Sequence, residues 1–474
     1  MNEDNAALRV IEDIRSIVRT GQPGDRLPSV RALMAKHKAS PVTVQQAIQR
    51  VAGEGLVEVR PGRGSYVADR PAPARLPDLS WQSVALGPGR PSEDVVAALI
   101  SVPGPEVLQL SSGYLDPGLL PVEALGAALT RAARRPASWG RVPLEGREEL
   151  RAWFAREAGG ELRAGDMTVC SGAQPALSAA FRGLSEPGDV VLLESPTYVG
   201  AIAAARDAGL RVVPVPTDAD GVRPDLLAAA FERTGARLFY SQPLHANPHG
   251  AVLSAARRPE VFAIVRAAGA FLIEDDWARG FTIDGIAPPT LTSEDVDGHV
   301  VYVRSLTKVA APGLRVAVIG ARGVAGKRLR TARSFDDLYV SGPLQEAAID
   351  FVTSPVWRRH LRSLQGALRS RRDALLSALD SHLPDFRVAK PTGGLHVWAE
   401  LPEGIDDMEF TAAAAARDIV VFPGRPWFAA EPAGSYLRLT FGGAPEHVLA
   451  EGVQRLAEVR AAIRRSTRGT SPAR

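Results

Sequence analysis

Val301-Tyr302-Val303-Arg304-Ser305-Leu306-Thr307-Lys308-Val309-Ala310-Ala311-Pro312-Gly313-Leu314-Arg315 sets a lysine just after a strand-like run, with two hydroxyls before it and an arginine beyond it. These groups suit a phosphorylated aldehyde. The Lys308 amine can bond to its carbonyl carbon, Ser305 and Thr307 can donate to phosphate, and Arg315 can grip the phosphate with two parallel hydrogen bonds. The tract therefore reads as an anchor for pyridoxal 5'-phosphate. Standing alone, the tract would read better as a lysine in an ordinary strand-to-loop turn, so the remainder of the chain decides.

From about Val95 onward, helical stretches alternate with short apolar runs such as Val190-Val191-Leu192-Leu193, Arg211 to Val215, Leu238-Phe239-Tyr240, Phe271-Leu272-Ile273 and Val300 to Val303. That alternation predicts a largely parallel sheet covered by helices on both faces. Ser171-Gly172-Ala173-Gln174 precedes a helix, so backbone amides at Gly172, Ala173 and Gln174 can hold phosphate. Asn247, in Asn247-Pro248-His249-Gly250, can donate to a phenolic oxygen. The acidic run Glu274-Asp275-Asp276 follows a strand and a carboxylate there can pair with a pyridine nitrogen, with Asp275 favoured over Asp276. In this order, and with Glu194-Ser195-Pro196-Thr197-Tyr198 and Tyr436-Leu437-Arg438-Leu439-Thr440-Phe441, residues 106 to 455 resemble class I, fold-type I pyridoxal-phosphate aminotransferases. The resemblance makes Tyr198 the aromatic that packs on the cofactor ring and Arg438 the arginine that grips a substrate α-carboxylate. His245 and His249 lack metal-ligand spacing and read as turn residues, and no metal site is expected.

The first seventy residues carry a different signature. Apolar residues Leu8, Ile11, Ile14 and Val18 predict one helix, Ser29 caps a second, and Ser40-Pro41 starts a third over Val42 to Ala52. Two strand-like pieces around Pro61-Gly62-Arg63-Gly64 then read as a hairpin. The segments Leu27 to Leu33, Ser40 to Ala47, Glu54 to Val57 and Arg60 to Val67 resemble the GntR-type winged helix, an α+β helix-turn-helix domain. On a recognition helix, Gln45 or Gln46 can read adenine, and Thr43, near the capping Ser40, can touch phosphate or a thymine methyl. Arg31 and Arg50 suit phosphate, and Arg63 beside Gly62 at the wing tip suits the minor groove. Where the family often has arginine after the cap serine, this chain has Pro41 and then glutamines, so its operator is expected to differ.

Together the halves resemble the MocR family, in which a GntR-type domain is joined by a linker to an aminotransferase-like domain. The expected boundaries are 1–68 for the winged helix, 69–93 for the linker, 94–465 for the α/β aminotransferase-like domain, and 466–474 for a tail without structure. The resemblance implies a transcription regulator that binds double-stranded operator DNA, holds pyridoxal phosphate on Lys308, senses an amino acid, an amine or the cofactor itself, and forms a head-to-tail homodimer. Two departures bear on chemistry. Trp277 stands where relatives usually have a tyrosine, and Trp139 and Arg141 flank the place of another. Both weigh against full transaminase turnover, yet a working aminotransferase with an accessory DNA-binding domain stays open, as does a dimerisation scaffold without cofactor.

Composition sets outer limits. The 474 residues allow two or three domains, and 45% hydrophobic with 23% charged residues is ordinary for a globular chain. The net charge of +3 falls within residues 1–70, which hold eleven Lys+Arg and eight Asp+Glu, leaving 45 of each sign elsewhere. A positive balance on that segment alone fits phosphate recognition. The single cysteine, Cys170, excludes an internal disulfide framework. No apolar run has the roughly 20 residues that span a bilayer, and the acidic start lacks a secretory signal's basic region, so no membrane contact and a cytoplasmic location are expected.

Overall fold

In a computed structural model of the chain, the described residues are 2–69, 78–86, 104 and 106–469. The chain divides into two compact units, Met1–Arg90 and Pro91–Arg474.

The first unit is three helices and a hairpin: α1 (Asn2–Thr20), α2 (Val30–His37), α3 (Pro41–Gly53), β1 (Val57–Arg60) and β2 (Gly64–Val67). The cap serines act as expected. Ser29 Oγ accepts from the Ala32 amide at 3.2 Å and Ser40 Oγ from the Thr43 amide at 3.1 Å, with Pro41 at the first helical position. Val10, Ile11 and Ile14 of α1 pack with Leu33, Val44, Ala47, Ile48 and Val51. Leu8 is exposed instead, because the buried stripe of α1 runs through positions 10, 11 and 14 and leaves position 8 off its edge. β1 and β2 pair antiparallel from Val57↔Val67 to Arg60↔Gly64, and the turn between them uses Gly62 at φ 73°, a left-handed value that suits glycine.

Most of the linker expected over 69–93 lies outside the described residues, and within it Ser80–Leu86 is helical. The expected tail boundary is corrected. The last helix runs Glu446–Gly469, because 466–468 hold no helix breaker, and 470–474 lie outside the described residues. Among the described residues no helix is long and apolar enough to cross a membrane.

The second unit is built on an eight-stranded sheet of β4 (Met167–Cys170), β5 (Val190–Ser195), β6 (Arg211–Asp218), β7 (Gly221–Val222), β8 (Leu238–Ser241), β9 (Phe271–Asp275), β10 (Val300–Ser305) and β11 (Ala317–Gly320), in the order β4-β11-β10-β9-β8-β5-β6-β7. β10, β9, β8, β5 and β6 run parallel, whereas β11 is antiparallel to β10 and β4, and β7 to β6. The antiparallel step at β11 has a direct cause. Only the Lys308 loop and one short 3-10 turn, Pro312–Leu314, join β10 to β11, too little chain for a helical crossover. Successive residues of the central strands enter different cores: Leu192, Phe239 and Leu272 on one face, Leu193, Tyr240 and Ile273 on the other. That two-sided burial is what makes the strands read as continuous apolar runs. A parallel pair of two-residue strands, β3 (Leu108–Gln109) and β14 (Ile419–Val420), forms a separate small sheet. A smaller antiparallel sheet of β12 (Arg387–Val388), β13 (His396–Glu400), β15 (Phe422–Pro423) and β16 (Tyr436–Thr440), in the order β12-β13-β16-β15, carries Arg438.

Candidate functional site

The expected site residues of the second unit gather beyond the carboxyl ends of the parallel strands, where open α/β sheets bind ligands. β5 ends at Ser195 just before Tyr198, β8 at Ser241 before Asn247, β9 at Asp275, and β10 at Ser305 before Lys308. Parallel register brings these ends together, since Leu193 pairs with Tyr240, Ser241 with Glu274, and Val303 with Asp275.

One side of this cluster forms an anion cradle. The helix Ala173–Leu184 starts at Gly172, φ 136°, with no side-chain cap on its first amides. Arg315, itself left-handed at φ 50°, brings its guanidinium over Gly172 so closely that a Cβ there would lie 2.6 Å from Nη2. Unsatisfied amides at a helix start under a guanidinium suit a phosphate group. Thr307 Oγ1 is buried and has no partner among the described residues. Ser305 is also buried, but its Oγ accepts from the Thr307 amide at 3.0 Å and donates to Val316 O at 3.4 Å, so it holds the turn that presents Thr307. Gln174 is turned to Tyr198. Its Oε1 accepts from the Tyr198 hydroxyl at 3.1 Å and its Nε2 donates to Gly200 O at 2.8 Å, leaving only its backbone for an anion.

Lys308 lies at the centre. Its Nζ donates to Gly113 O at 2.8 Å and stands 3.7 Å from the Tyr114 ring centroid. Burial pushes this amine down to about 7, Arg438 adding to the fall and Asp275 opposing it, which yields a neutral nucleophile near physiological pH. Asp275 is buried and receives both its hydrogen bonds on one oxygen: Oδ2 accepts from Tyr240 Oη at 2.7 Å and Gln242 Nε2 at 2.8 Å. Its Oδ1 is buried with no partner among the described residues, free for a ring N–H. Burial raises this carboxyl to about 6, against the hydrogen bonds from Tyr240 and Gln242. Asp276 is occupied elsewhere, by Tyr302 Oη at 2.7 Å and Arg279 Nε at 2.9 Å, which favours Asp275 for the role. The free Oδ1, the free Thr307 hydroxyl and the Gly172–Arg315 cradle fit pyridoxal phosphate.

Arg438 is 2% exposed, its guanidinium 4.4 Å from the Trp427 ring centroid and 5.4 Å from that of Phe422. Nη1 donates to Asn247 Oδ1 at 3.3 Å and Nη2 to Ser111 O at 2.5 Å, while Nε has no partner among the described residues. Burial pulls it down to about 9, so it stays charged at neutral pH. His396 and Trp277, both buried with ring centroids 5.9 Å apart, each leave a ring nitrogen without a partner among the described residues. His245 is a buried turn residue at φ 48°, its Nε2 3.0 Å from Thr282 Oγ1 and its pKa pushed down to about 4 by burial. His249 sits near Thr217 Oγ1 at 3.4 Å, and no group of metal-binding side chains occurs among the described residues. Trp139 is exposed, its indole donating to Ala133 O, and Arg141 is exposed beside it.

Sequence reading missed Tyr240 and Gln242. A local signal exists only for their shared side: two residues apart, at and just past the end of β8, they point the same way, but nothing local names Asp275 as their partner.

In the first unit, α3 exposes Val42, Gln45, Gln46, Gln49 and Arg50 and buries Thr43. The expected Thr43 contact to DNA is thereby corrected. The Thr43 side chain is 7% exposed and its hydroxyl sits 2.8 Å from Ser40 Oγ, so it belongs to the helix cap, and Val42, 61% exposed, takes the outward place. Arg31 is exposed on α2 and Arg63 at the hairpin tip beside Gly62. Arg60 instead pairs with Glu58 at 2.9 Å.

The comparisons with known proteins agree with this two-part layout. The model of the family "Aminotransferase class I and II" matches residues 105–456, and that of "Bacterial regulatory proteins, gntR family" matches residues 4–67. The chain is 28% identical over 443 residues to the uncharacterized HTH-type transcriptional regulator YdfD of Bacillus subtilis, covering 91% of each chain. It is 30% identical to the 2-aminoadipate transaminase of Thermus thermophilus over 80% of this chain and 96% of that one. Among solved structures, LysN, the α-aminoadipate aminotransferase of Thermus thermophilus complexed with N-(5'-phosphopyridoxyl)-L-leucine, superimposes with a TM-score of 0.74 at 29% identity, covering 81% of this chain and 99% of that one.

Proposed function

The chain belongs to the aminotransferase class I and II family and carries a gntR-family domain ahead of it, the MocR arrangement, and from that premise we propose a transcription regulator that holds pyridoxal phosphate and senses a small carboxylate-bearing amine. The convergence of Lys308, Asp275 and Arg438 carries the reading: a buried nucleophilic amine, a carboxylate with one free oxygen, and a buried guanidinium, all beyond one set of strand ends. The LysN complex with a phosphopyridoxyl amino acid supports the cofactor by likeness.

When bound, pyridoxal phosphate supplies an aldehyde for covalent capture of amines and a pyridinium that withdraws electrons. The chain's residues do the rest. Arg315, Thr307 and the amides at Gly172, Ala173 and Gln174 bind the phosphate. Asp275 Oδ1 would pair with the ring nitrogen, Asn247 would donate to the phenolic oxygen, Tyr198 would pack on the ring, and the Lys308 amine would be the group that holds the aldehyde carbon. Arg438 receives the ligand carboxylate, its aromatic neighbours excluding water from the pair. In the first unit Arg31, Arg50 and Arg63 contact phosphates, Gln45 or Gln46 reads a base edge, and Ser40 fixes the helix start. The partners are double-stranded operator DNA and a second copy of the chain in a head-to-tail dimer.

Electrophoretic and fluorescence binding to the DNA flanking the gene, with and without pyridoxal phosphate and candidate amino acids, tests this. Ligand-dependent binding is expected, and binding indifferent to both compounds would defeat the sensing role. A working transaminase is the second reading, favoured by the Lys308 amine near 7 and the likeness to 2-aminoadipate transaminase. Sustained turnover of an amino acid with a keto acid would establish it.

A further inference from the structure

One residue outside the expected set joins the two ends of the site. Gln242, 2% exposed, donates from Nε2 to Asp275 Oδ2 at 2.8 Å and accepts at Oε1 from the Asn247 amide at 2.9 Å. Its own backbone N–H donates to Glu194 Oε2 at 2.8 Å, and Ser241 Oγ donates to the other oxygen of the same carboxylate at 2.6 Å. Asn247 in turn accepts at Oδ1 from Arg438 Nη1 at 3.3 Å. The result is a continuous path Asp275–Gln242–Asn247–Arg438. The Gln242 amide has one workable orientation, because a carboxylate only accepts and a backbone N–H only donates. Flipping it, or removing it, would strand the buried Asn247 N–H and leave Asp275 Oδ2 with Tyr240 as its remaining donor.

We propose that Gln242 is a positioning residue that ties the ring-nitrogen carboxylate to the carboxylate-binding arginine, so that a ligand on Arg438 changes how firmly Asp275 holds the cofactor ring. This rests on the reading of the site given above. A carboxylate docking on Arg438 competes for the guanidinium protons that Asn247 Oδ1 now accepts. Release of Asn247 moves its amide, the amide carries Gln242 Oε1, and the opposite end of the same side chain is one of the two donors on Asp275 Oδ2. The groups facing Asp275 are Tyr240 from β8, Asp276 at its own strand end, and Lys308, while Tyr198 and Glu194 surround Tyr240. None of the others bridges to Arg438 through hydrogen bonds of this path.

The full-length chain loaded with pyridoxal phosphate provides the test, with butyrate as a carboxylate probe that has no amine to react. In wild type, saturating butyrate should shift the pH midpoint of the bound cofactor's absorbance. Gln242→Met, which fills the volume without polar atoms, should bind the cofactor roughly tenfold more weakly and lose more than half of that shift. Gln242→Glu keeps an acceptor for the Asn247 amide but, ionised, has no donor for Asp275. It should lose the shift as well, and it carries the test if Gln242→Met fails to fold. An unchanged butyrate shift in a folded variant, or no shift in wild type that has taken up the cofactor, overturns the proposal. A wild-type chain that takes up no pyridoxal phosphate overturns the functional reading itself, and this coupling with it.

Discussion

Arg315 and Gly172 are fitted to each other: the guanidinium lies where any side chain on residue 172 would have to begin, 2.6 Å from an ideal Cβ, and both residues hold positive φ. Gly172→Ala must therefore displace Arg315 and strain the backbone, at about 1–3 kcal/mol for the strained conformation alone. The expected outcome is a lowered melting temperature and a loss of pyridoxal phosphate affinity of roughly tenfold or more. Equilibrium titration of the cofactor checks this. An affinity equal to wild type would mean that phosphate is held away from the cradle.

Lys308 gives a pH signature without any cofactor. Its folded value near 7 lies below the ordinary lysine range, so between about pH 7 and pH 10 the unfolded chain binds more protons than the folded one. Stability of the cofactor-free chain should then rise with pH across that window, and the cost of burying the charged amine is fully present below pH 7. Lys308→Met should remove that rise, raise stability at about pH 6, and abolish covalent cofactor absorbance. Urea unfolding of both chains at several pH values measures it. Parallel pH curves would show that this amine is not the buried base described.

How much was legible beforehand follows from where the information resides. Lys308, Asp275, Asn247 and Arg438 stand in ordered local motifs, and the alternation of Leu192, Leu193, Phe239 and Tyr240 announced a sheet buried on both faces. Helix phase was the weaker inference. Thr43 and Val42 differ by one position, and only the packing of α3 on α1 decides which of them faces outward. Long-range partnerships were illegible. Nothing local tells that Gln242 spans Asp275 and Asn247, or that Trp427 lies on Arg438, because those contacts depend on how separate strands and loops converge.

For the first unit, the exposed placement of Arg50 and Arg63 predicts that Arg50→Ala and Arg63→Ala weaken binding to every DNA sequence, each lowering the salt slope by about one counterion. Gln45→Ala or Gln46→Ala should instead relax preference at one base pair, costing roughly 1–3 kcal/mol on the operator alone. Val42→Ala should act like the glutamine changes, through a lost thymine-methyl contact. Salt titrations with operator and scrambled duplexes separate the two classes. Equal losses on both duplexes from the glutamine variants would remove their base-reading role.

Arg438 is the residue on which amino-acid sensing depends. It is buried between Trp427 and Phe422, keeps its charge at neutral pH, and presents a planar fork whose Nε is free among the described residues. A carboxylate held there by two parallel charged bonds, away from water, gains more than it would from an exposed pair. Lysine keeps the charge but cannot reproduce the fork. Arg438→Lys should retain pyridoxal phosphate, because Lys308, the phosphate cradle and the Asp275 carboxylate all remain in place, while affinity for a carboxylate ligand falls by roughly 1.5–3 kcal/mol, about tenfold to more than a hundredfold. Calorimetric titration of both chains with candidate amino acids and with the corresponding amines reads this directly. The loss should be confined to ligands that carry the carboxylate, and an equal affinity of both chains for the cognate ligand would place its recognition elsewhere in the site.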